Sequence, residues 1–479
     1  MTGSPSIVII GSGFAGLGMA IRLKQSGFRD FVILEKSEEL GGTWHDNTYP
    51  GCACDVPSPM YSYSFDLNKK WSRLFSPQPE IHRYMLDCAD KHGLREHIRF
   101  GVRVETMEFD DAAKRWNVGT SAGLFTPRAI VSGVGGLHIP KFPVIPGLET
   151  FEGKAFHSAE WDHSYDLRGK RVAVIGTGAS AIQFVPEIAK TVGRLTVFQR
   201  TPPWIQPKPD MPLPRAFGLP GVARAVRNAV FWTLEARAVG FAIDPRLSGP
   251  QKLMALNHIK RQIPDPDLRA KVTPDYTIGC KRILLSNDFY PALLRPNVDL
   301  VTDDIVEVRP NAVVTADGTV HEVDAIVFGT GFKVVDALAQ AHIIGRDGRK
   351  IQEAWEKGVE AHHGITVPGF PNYFMLLGPN TALGHNSVVF MIEVQINHVL
   401  SCLKLIADRG ADTIEPRPEA NRAWNDKIQK RLRKAVWTEG GCQSWYLDEN
   451  GVNRTIWPGF SFEYWADTRK AKAAEFVIR

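Results

Sequence analysis

The sequence predicts a doubly wound α/β protein assembled from two copies of one plan. Three observations lead there. A glycine-rich turn, Gly11-Ser12-Gly13-Phe14-Ala15-Gly16, follows a short run of β-branched residues ending at Ile10. A second turn, Gly176-Thr177-Gly178-Ala179-Ser180-Ala181, follows the apolar run Arg171 to Ile175. Each turn opens a helical stretch that returns to another apolar strand, and Glu35 and Arg200 each stand 24 positions after the first glycine of their turn. Parallel strands joined by helices make an open sheet covered on both faces.

The elements follow in the same order in both copies. In the first, Ser6 to Ile10 is a strand, the helix runs to about Ser26, and Phe31 to Leu34 is the next strand. In the second, Arg171 to Ile175 is the strand, the helix runs to about Lys190, and Leu195 to Phe198 is the next strand. Each copy closes with a polar, hairpin-like stretch and an apolar strand stopped by glycine, Ala129 to Gly133 and Ala325 to Gly329. The second copy is the longer, and its surplus is placed at 202–270. That stretch starts with Pro202, Pro203, Pro207, Pro209, Pro212 and Pro214 and continues into apolar helical sequence from Val222 to Ile243. Beyond Gly331 no third copy starts. Ser387 to Asp408 reads as one long helix capped by Asn386-Ser387, and the tail is rich in tryptophan.

Composition narrows the function classes. The 479 residues amount to two or three domains at roughly 150 residues each. A 44% hydrophobic, 23% charged chain is an ordinary globular one, which excludes a disordered or collagen-like protein. A net charge of +5 without a Lys/Arg run argues against nucleic acid. Six cysteines, at 52, 54, 88, 280, 402 and 442, are too few and too scattered for a disulfide framework, and no Cys-x-x-Cys pair exists. The N-terminus lacks the positive region of a signal peptide, and no run of 18 apolar residues suggests a membrane span, so a cytoplasmic protein is expected. His362-His363 has no third histidine or carboxylate at ligand spacing; it reads as a surface loop, and no metal is expected.

The glycine turns carry chemistry. Between a strand and a helix, G-x-G-x-x-G allows a tight turn, close approach of the backbone to a pyrophosphate, and close helix–strand packing, while the helix N-terminus offers free N–H groups. This is the Rossmann-like dinucleotide site. The strand-end residue tells the two sites apart: Glu35 suits ribose hydroxyls, as in FAD or NAD, whereas Arg200 suits the 2′-phosphate of NADP. Ala181 replaces the third glycine of the second turn. On its own Arg200 could also be a solvated strand end. Together the two sites imply electron flow from NADPH to a flavin.

Two further motifs point to a family. Phe151-Glu152-Gly153-Lys154-Ala155-Phe156-His157-Ser158-Ala159-Glu160-Trp161-Asp162 is similar to the F-x-G-x-x-x-H-x-x-x-W-[PD] fingerprint of type I Baeyer–Villiger monooxygenases, class B flavoproteins that turn ketones into esters or lactones. Gly41-Gly42-Thr43-Trp44, then Tyr49-Pro50-Gly51 and Asp55, resembles that family's other signature, and the resemblance extends to Gly378-Pro379-Asn380. It implies FAD, NADPH and O2, and a C4a-peroxyflavin that must stay deprotonated to attack a ketone. Gly279-Cys280-Lys281-Arg282 resembles the family segment that carries a cation beside that peroxide, which makes Arg282 the catalytic candidate and Asp55 its carboxylate partner. From the residues alone they could equally be a structural ion pair or separate surface charges. Lys281 resembles the lysine that joins Arg200 and Thr201 at the 2′-phosphate. By the same resemblance Asp46 approaches the flavin edge, and the helix start at Asn386 faces the flavin pyrimidine. Trp44 and Trp161 read as packing anchors. The resemblance further implies that His157, on the linker, affects domain coupling, and the 440–446 tail segment is expected to line the pocket.

The whole reading is two Rossmann-like domains, with an NADP domain (151–325) inserted into a discontinuous FAD domain (1–145 and 330–479) and a helical insert at about 205–270. The nucleotide-binding set is Gly11, Gly13, Phe14, Gly16, Glu35, Lys36, Gly42, Thr43, Trp44, Asp46, Asp55, Val104 and Asn386 for the flavin, with Gly176, Thr177, Gly178, Ser180, Ala181, Gln183, Arg200, Thr201 and Lys281 for NADPH. Phe151, Gly153, His157, Trp161 and Asp162 are the fingerprint. The expected reaction is NADPH- and O2-dependent oxygenation of a small ketone, with thioethers as further substrates. The alternatives are a flavin monooxygenase of nitrogen and sulfur, and an uncoupled NADPH oxidase or redox sensor.

Overall fold

Each glycine turn leads the chain into a parallel sheet of five strands. The computed structural model describes residues 4–334, 341–442 and 444–479. One sheet has the order Tyr373–Met375, Ala129–Ser132, Ile7–Ile10, Phe31–Leu34, Ile98–Arg99, and every neighbouring pair is parallel. The other has the order Val298–Val301, Arg194–Phe198, Arg171–Ile175, Ala325–Phe328, Lys154–His157, again parallel throughout. The central strands, IVII, FVIL, RVAVI and AIVF, are continuous apolar runs because helices or loops cover both faces. The first sheet takes its edge strand, Tyr373–Met375, from beyond the second sheet's last strand.

Each sheet carries a small antiparallel satellite just before its closing strand. Val104–Asp110, Arg115–Thr120 and Gly123–Phe125 form one, joined by His342–Ile344, and Ile305–Arg309, Ala312–Thr315 and Val320–Glu322 form the other. The turns show why glycine is needed. Gly11 has φ +89° and Gly176 φ +102°, and a Cβ on Gly16 would stand 1.9 Å from the carbonyl oxygen of Gly11. In the second copy Ala181 stands at that place, and its Cβ faces the closing glycine, Gly329.

The long second copy departs from its twin through helices Val222–Ala238, Gly249–Gln262 and Pro266–Val272, the first running on into a π-turn at Val239–Ile243. Val388–Asp408 is one helix, capped by Ser387, whose Oγ accepts from Val389 N. Among the described residues it is the one helix long and apolar enough to cross a membrane. Most of it is buried, packed against helices Phe14–Gln25 and Ser461–Thr468, as a core helix is.

Two features differ from the sequence-based expectation. Cys280 and Cys442 form a disulfide across 162 residues, while Cys52, Cys54, Cys88 and Cys402 are free and buried. His362 and His363 are not on a surface loop: both are 2% exposed. Their Nε2 atoms lie 3.3 and 3.4 Å from one carboxylate oxygen of Glu475. That carboxylate arrives from the C-terminal strand region, too far along the chain for any spacing rule to see.

Candidate active site

Both turns open on one cleft of about 1620 Å³, and Asp55 and Arg282 lie on its wall. Arg282 Nε donates to Asp55 Oδ2 at 2.6 Å and Nη2 donates to Oδ1 at 2.7 Å, a bidentate pair that fixes the guanidinium plane. The side chains keep 33% and 26% of their exposure, so the pair faces the cleft. Attraction to Asp55 raises the Arg282 pKa above its ordinary value. Burial pushes the Asp55 carboxyl up, the Arg282 charge pushes it down, and the net effect is downward. The cleft thus holds a permanent cation with a permanent anion behind it. The separate-surface-charges reading fails.

The first turn presents a strand-end carboxylate already fixed by its own backbone. Glu35 is buried. Its Oε2 accepts from Ser12 N (2.8 Å) and Ser12 Oγ (2.7 Å), and its Oε1 accepts from Ser37 N (2.9 Å). Gly13 leaves its Cβ position open towards Gly42, where the nearest atom is 3.8 Å away, so a pyrophosphate has room to approach. Phe14, Lys36, Thr43, Asp46 and Val104 line the same space. Trp44, 8% exposed, donates Nε1–H to Tyr61 Oη at 3.1 Å and lies edge-on to the Tyr61 ring, as a packing anchor does.

The second turn presents cations. Arg200, Thr201 and Lys281 line the cleft beside Gly176, Thr177, Gly178 and Ser180. Burial and the Arg200 charge lower the Lys281 pKa, and its ammonium stands 5.0 Å above the Tyr276 ring. Neither Arg200 nor Lys281 forms an ion pair among the described residues, although the chain pairs many other cations. Two cations near enough to repel, neither held in an ion pair, suit an added phosphate.

Several singled-out residues do something other than face the cleft. Gly16 and Ala181 lie behind it, at the helix–strand contacts. Gln183 lines the cleft but also brackets the two sheet-bearing parts: its Oε1 accepts from Tyr49 Oη and Ala53 N, and its Nε2 donates to Ala53 O. The fingerprint stands apart. Its residues Lys154–His157 form the edge strand of the second sheet, and a Cβ on Gly153 would collide with Asp324 O and the Phe151 ring. Trp161 packs between Phe156 and Phe184, and Asp162 pairs with Lys154. His157 is fully buried. Its Nδ1 accepts from Ala159 N, and its ring meets Phe142 and Phe332 edge-on, one on each of the two connecting segments that cross between the sheets. Those crossings lie side by side, with Lys141 N donating to Gly331 O and Lys333 N to Ile139 O.

The comparisons agree with this geometry. A pyridine nucleotide-disulphide oxidoreductase family model matches residues 8–213. A Baeyer–Villiger monooxygenase of Streptomyces coelicolor is 48% identical over 478 residues, covering 98% of this chain and 92% of the relative. The chain belongs to the Baeyer–Villiger monooxygenases. An oxidized steroid monooxygenase bound to NADP superposes with a TM-score of 0.89 at 30% identity, over 99% of both chains. OTEMO in complex with FAD and NADP gives 0.87 at 26% identity, over 100% of both chains. The protein is therefore a flavin- and NADPH-dependent monooxygenase.

In this Baeyer–Villiger monooxygenase the long helix's N-terminus reaches the cleft through Asn386. Behind it lies a group the sequence reading missed, Glu235, 2% exposed on the helical insert. Glu235 Oε1 accepts from Asn386 Nδ2 (2.6 Å) and faces His385 Nε2 (3.3 Å), while Oε2 accepts from Ser461 N (2.8 Å). Burial would raise its carboxyl pKa, but these hydrogen bonds outweigh burial and hold it low. Only a position periodicity marks as core could have flagged a glutamate there. Tyr446 was foreseen only as part of a tail segment. It is buried beside Arg282, and burial pushes its hydroxyl up to about 12. Ser444, Trp445 and Tyr446 line the cleft, Gly440, Gly441 and Cys442 do not, and Gln443 lies outside the described residues. Leu377, at φ +58°, holds a left-handed conformation on the cleft wall just before Gly378-Pro379.

Proposed function

We propose that the protein oxygenates a ketone with an apolar body to an ester or lactone, in one cleft formed by a discontinuous FAD domain (1–145 and 330–479) and an inserted NADP domain (151–325). The observation that carries this reading is the Arg282–Asp55 pair. Arg282 comes from the second half of the chain and Asp55 from the first, and their bidentate contact stands in the cleft that both turns share.

The residues fit both dinucleotides. Gly11, Gly13 and the start of helix Phe14–Gln25 would hold the FAD pyrophosphate and Glu35 its ribose. Gly176, Gly178 and Ser180 would hold the NADPH pyrophosphate, and Arg200, Thr201 and Lys281 its 2′-phosphate. Bound FAD, reduced by NADPH, supplies the chemistry that activates O2. The chain's own residues do the rest. Arg282 places a fixed positive charge where negative charge builds on oxygen, at the oxidant and then at the ketone carbonyl, and no reorganisation is needed during the reaction. Asp55 keeps the guanidinium in plane and cannot donate a proton, because its carboxyl stays ionised. Val56, Leu383, Trp445 and Tyr446 give the neighbouring wall an apolar lining that excludes water. A cytoplasmic location goes with this reading.

Product analysis tests it. FAD-loaded protein with NADPH and O2 would be given linear, cyclic and aryl ketones and one thioether, with mass spectrometry for a gain of one oxygen and a parallel peroxide assay. Ester or lactone, formed much faster with NADPH than with NADH, is the expected result. Sulfoxide without ester, or peroxide matching NADPH one for one with every substrate, would overturn it.

A further inference from the structure

The disulfide joins the two segments that build the wall around Arg282. Cys280 is two residues before Arg282, and Cys442 is two residues before Ser444, where the tail enters the cleft wall. Packing joins these segments too, since Ile278 and Cys280 share one buried apolar cluster with Val436, Trp437 and Tyr446. Thr277 N donates to Gly440 O at 3.2 Å, and Gly440 packs so tightly that a Cβ there would stand 2.6 Å from Cys280 Cβ. On its other side, Gly279 (φ +92°) lies against the Phe241 ring of the helical insert. The Arg282 segment is thus wedged between insert and tail, and on the tail side one covalent bond adds to this packing. Cys280 is buried and Cys442 is half-buried, so Cys442 is the more open end of the bond.

We infer that Cys280 and Cys442 are positioning residues, and that their reversible thiol–disulfide exchange sets how firmly Arg282 and the Ser444–Tyr446 wall are held, and so how much NADPH ends in oxygenated product rather than hydrogen peroxide. This rests on the ketone-oxygenating reading above. A small thiolate attacks Cys442 Sγ, the S–S bond breaks, and Cys280 leaves as thiolate and takes a proton. A second small thiol then resolves the mixed disulfide. Two thiols are oxidised to one small disulfide, and the protein disulfide is reduced to two thiols. Hydrogen peroxide reverses this: one cysteine thiolate takes an oxygen to give a sulfenic acid and hydroxide, the other thiol displaces water, and the S–S bond re-forms. Peroxide from poorly coupled turnover would therefore restore the tight state.

The test uses the full FAD-loaded chain, oxidised or reduced with dithiothreitol and desalted. Thiol-tagging of the denatured protein should count four free cysteines in the first sample and six in the second. Reduction should open the chain to protease between helix Pro418–Leu432 and Tyr446. It should also raise the peroxide released per NADPH severalfold, and added hydrogen peroxide should reverse both effects. The Cys280→Ser/Cys442→Ser protein should match the reduced enzyme and ignore both reagents, whereas loss of a purely stabilising bond would lower the melting temperature and leave the peroxide ratio unchanged. Six free thiols before reduction, or equal peroxide ratios in the two states, would overturn the inference. Failure to make ester in either state would instead overturn the ketone reading, while thiol count and proteolysis still judge the disulfide.

Discussion

The two glycine turns share a backbone and differ in how their discriminating side chains are held. Glu35 is bound by three hydrogen bonds from its own turn and from Ser37, so it is part of the structure before any nucleotide arrives. Arg200 is exposed and unpaired among the described residues, and Lys281 comes to it from a distant loop. On the proposed reading, a single βαβ plan thus serves two dinucleotides in two ways: the group assigned to FAD is locked in, and those assigned to NADPH are left free. Perturbing the first side should therefore damage fold and flavin retention together. Perturbing the second should damage only nicotinamide binding.

The largest effect is expected where the halves meet. Arg282→Ala should lower the rate of ester formation by about 10²–10³-fold, the usual loss for one preorganised charge donor, while NADPH oxidation to peroxide continues. Stopped-flow flavin reduction and product yield, measured side by side, separate the two. A normal ester rate would end the role assigned to Arg282.

The turn glycines probe the asymmetry next. Gly16→Ala forces a Cβ to within 1.9 Å of a backbone carbonyl and should cost about 1–3 kcal/mol, read as a lower melting temperature and lost flavin absorbance. Position 181 already carries alanine, so the same change has in effect been made in the second half. An intact, flavin-loaded Gly16→Ala protein would break the comparison. On the nicotinamide side, Arg200→Ala should raise KM for NADPH about tenfold, or roughly 1.4 kcal/mol, leaving NADH kinetics and flavin content unchanged. Loss of flavin from that variant would mean the two sites are not separately held.

Much of this was legible in the chain because its cues are local. Strand, glycine turn, helix and strand-end charge lie within 24 residues in each copy, and their order is dictated by period, turn chemistry and chirality. What stayed hidden depends on contacts across long separations. Glu235 meets Asn386 across 151 residues, Glu475 meets His362 across 113, and Cys280 meets Cys442 across 162. No spacing rule reaches that far. His362-His363 looked like a polar surface pair because two polar residues beside glycine usually are one, but Trp424, His398 and the returning C-terminus bury them.

That buried cluster gives the smallest and most local prediction, and it lies on the flavin side. Burial lowers the pKa of His363 to about 3 and that of His398 to about 4. An unfolded chain binds protons at both below about 6.5, whereas the folded chain refuses them until far lower, so stability should fall as pH drops from 6.5 towards 4. The loss should be about 1 kcal/mol per histidine by pH 5.5. Glu475, held low by hydrogen bonds from His362 and His363, acts in the same direction but only once pH falls to the ordinary carboxylate range. Because burial also lowers the pKa of His138, His157 and His258, the melts between pH 7.5 and 5.5 are compared with those of a His398→Gln protein to isolate the cluster. His398 Nδ1 meets Thr468 O and His363 Nδ1 meets Thr468 Oγ1, which ties helix Ser461–Thr468 to the long helix whose N-terminus reaches the cleft. Acid should therefore release flavin along with the loss in melting temperature. A melting temperature that does not change over this range, or flavin retained through it, would show that the cluster does not brace the flavin side.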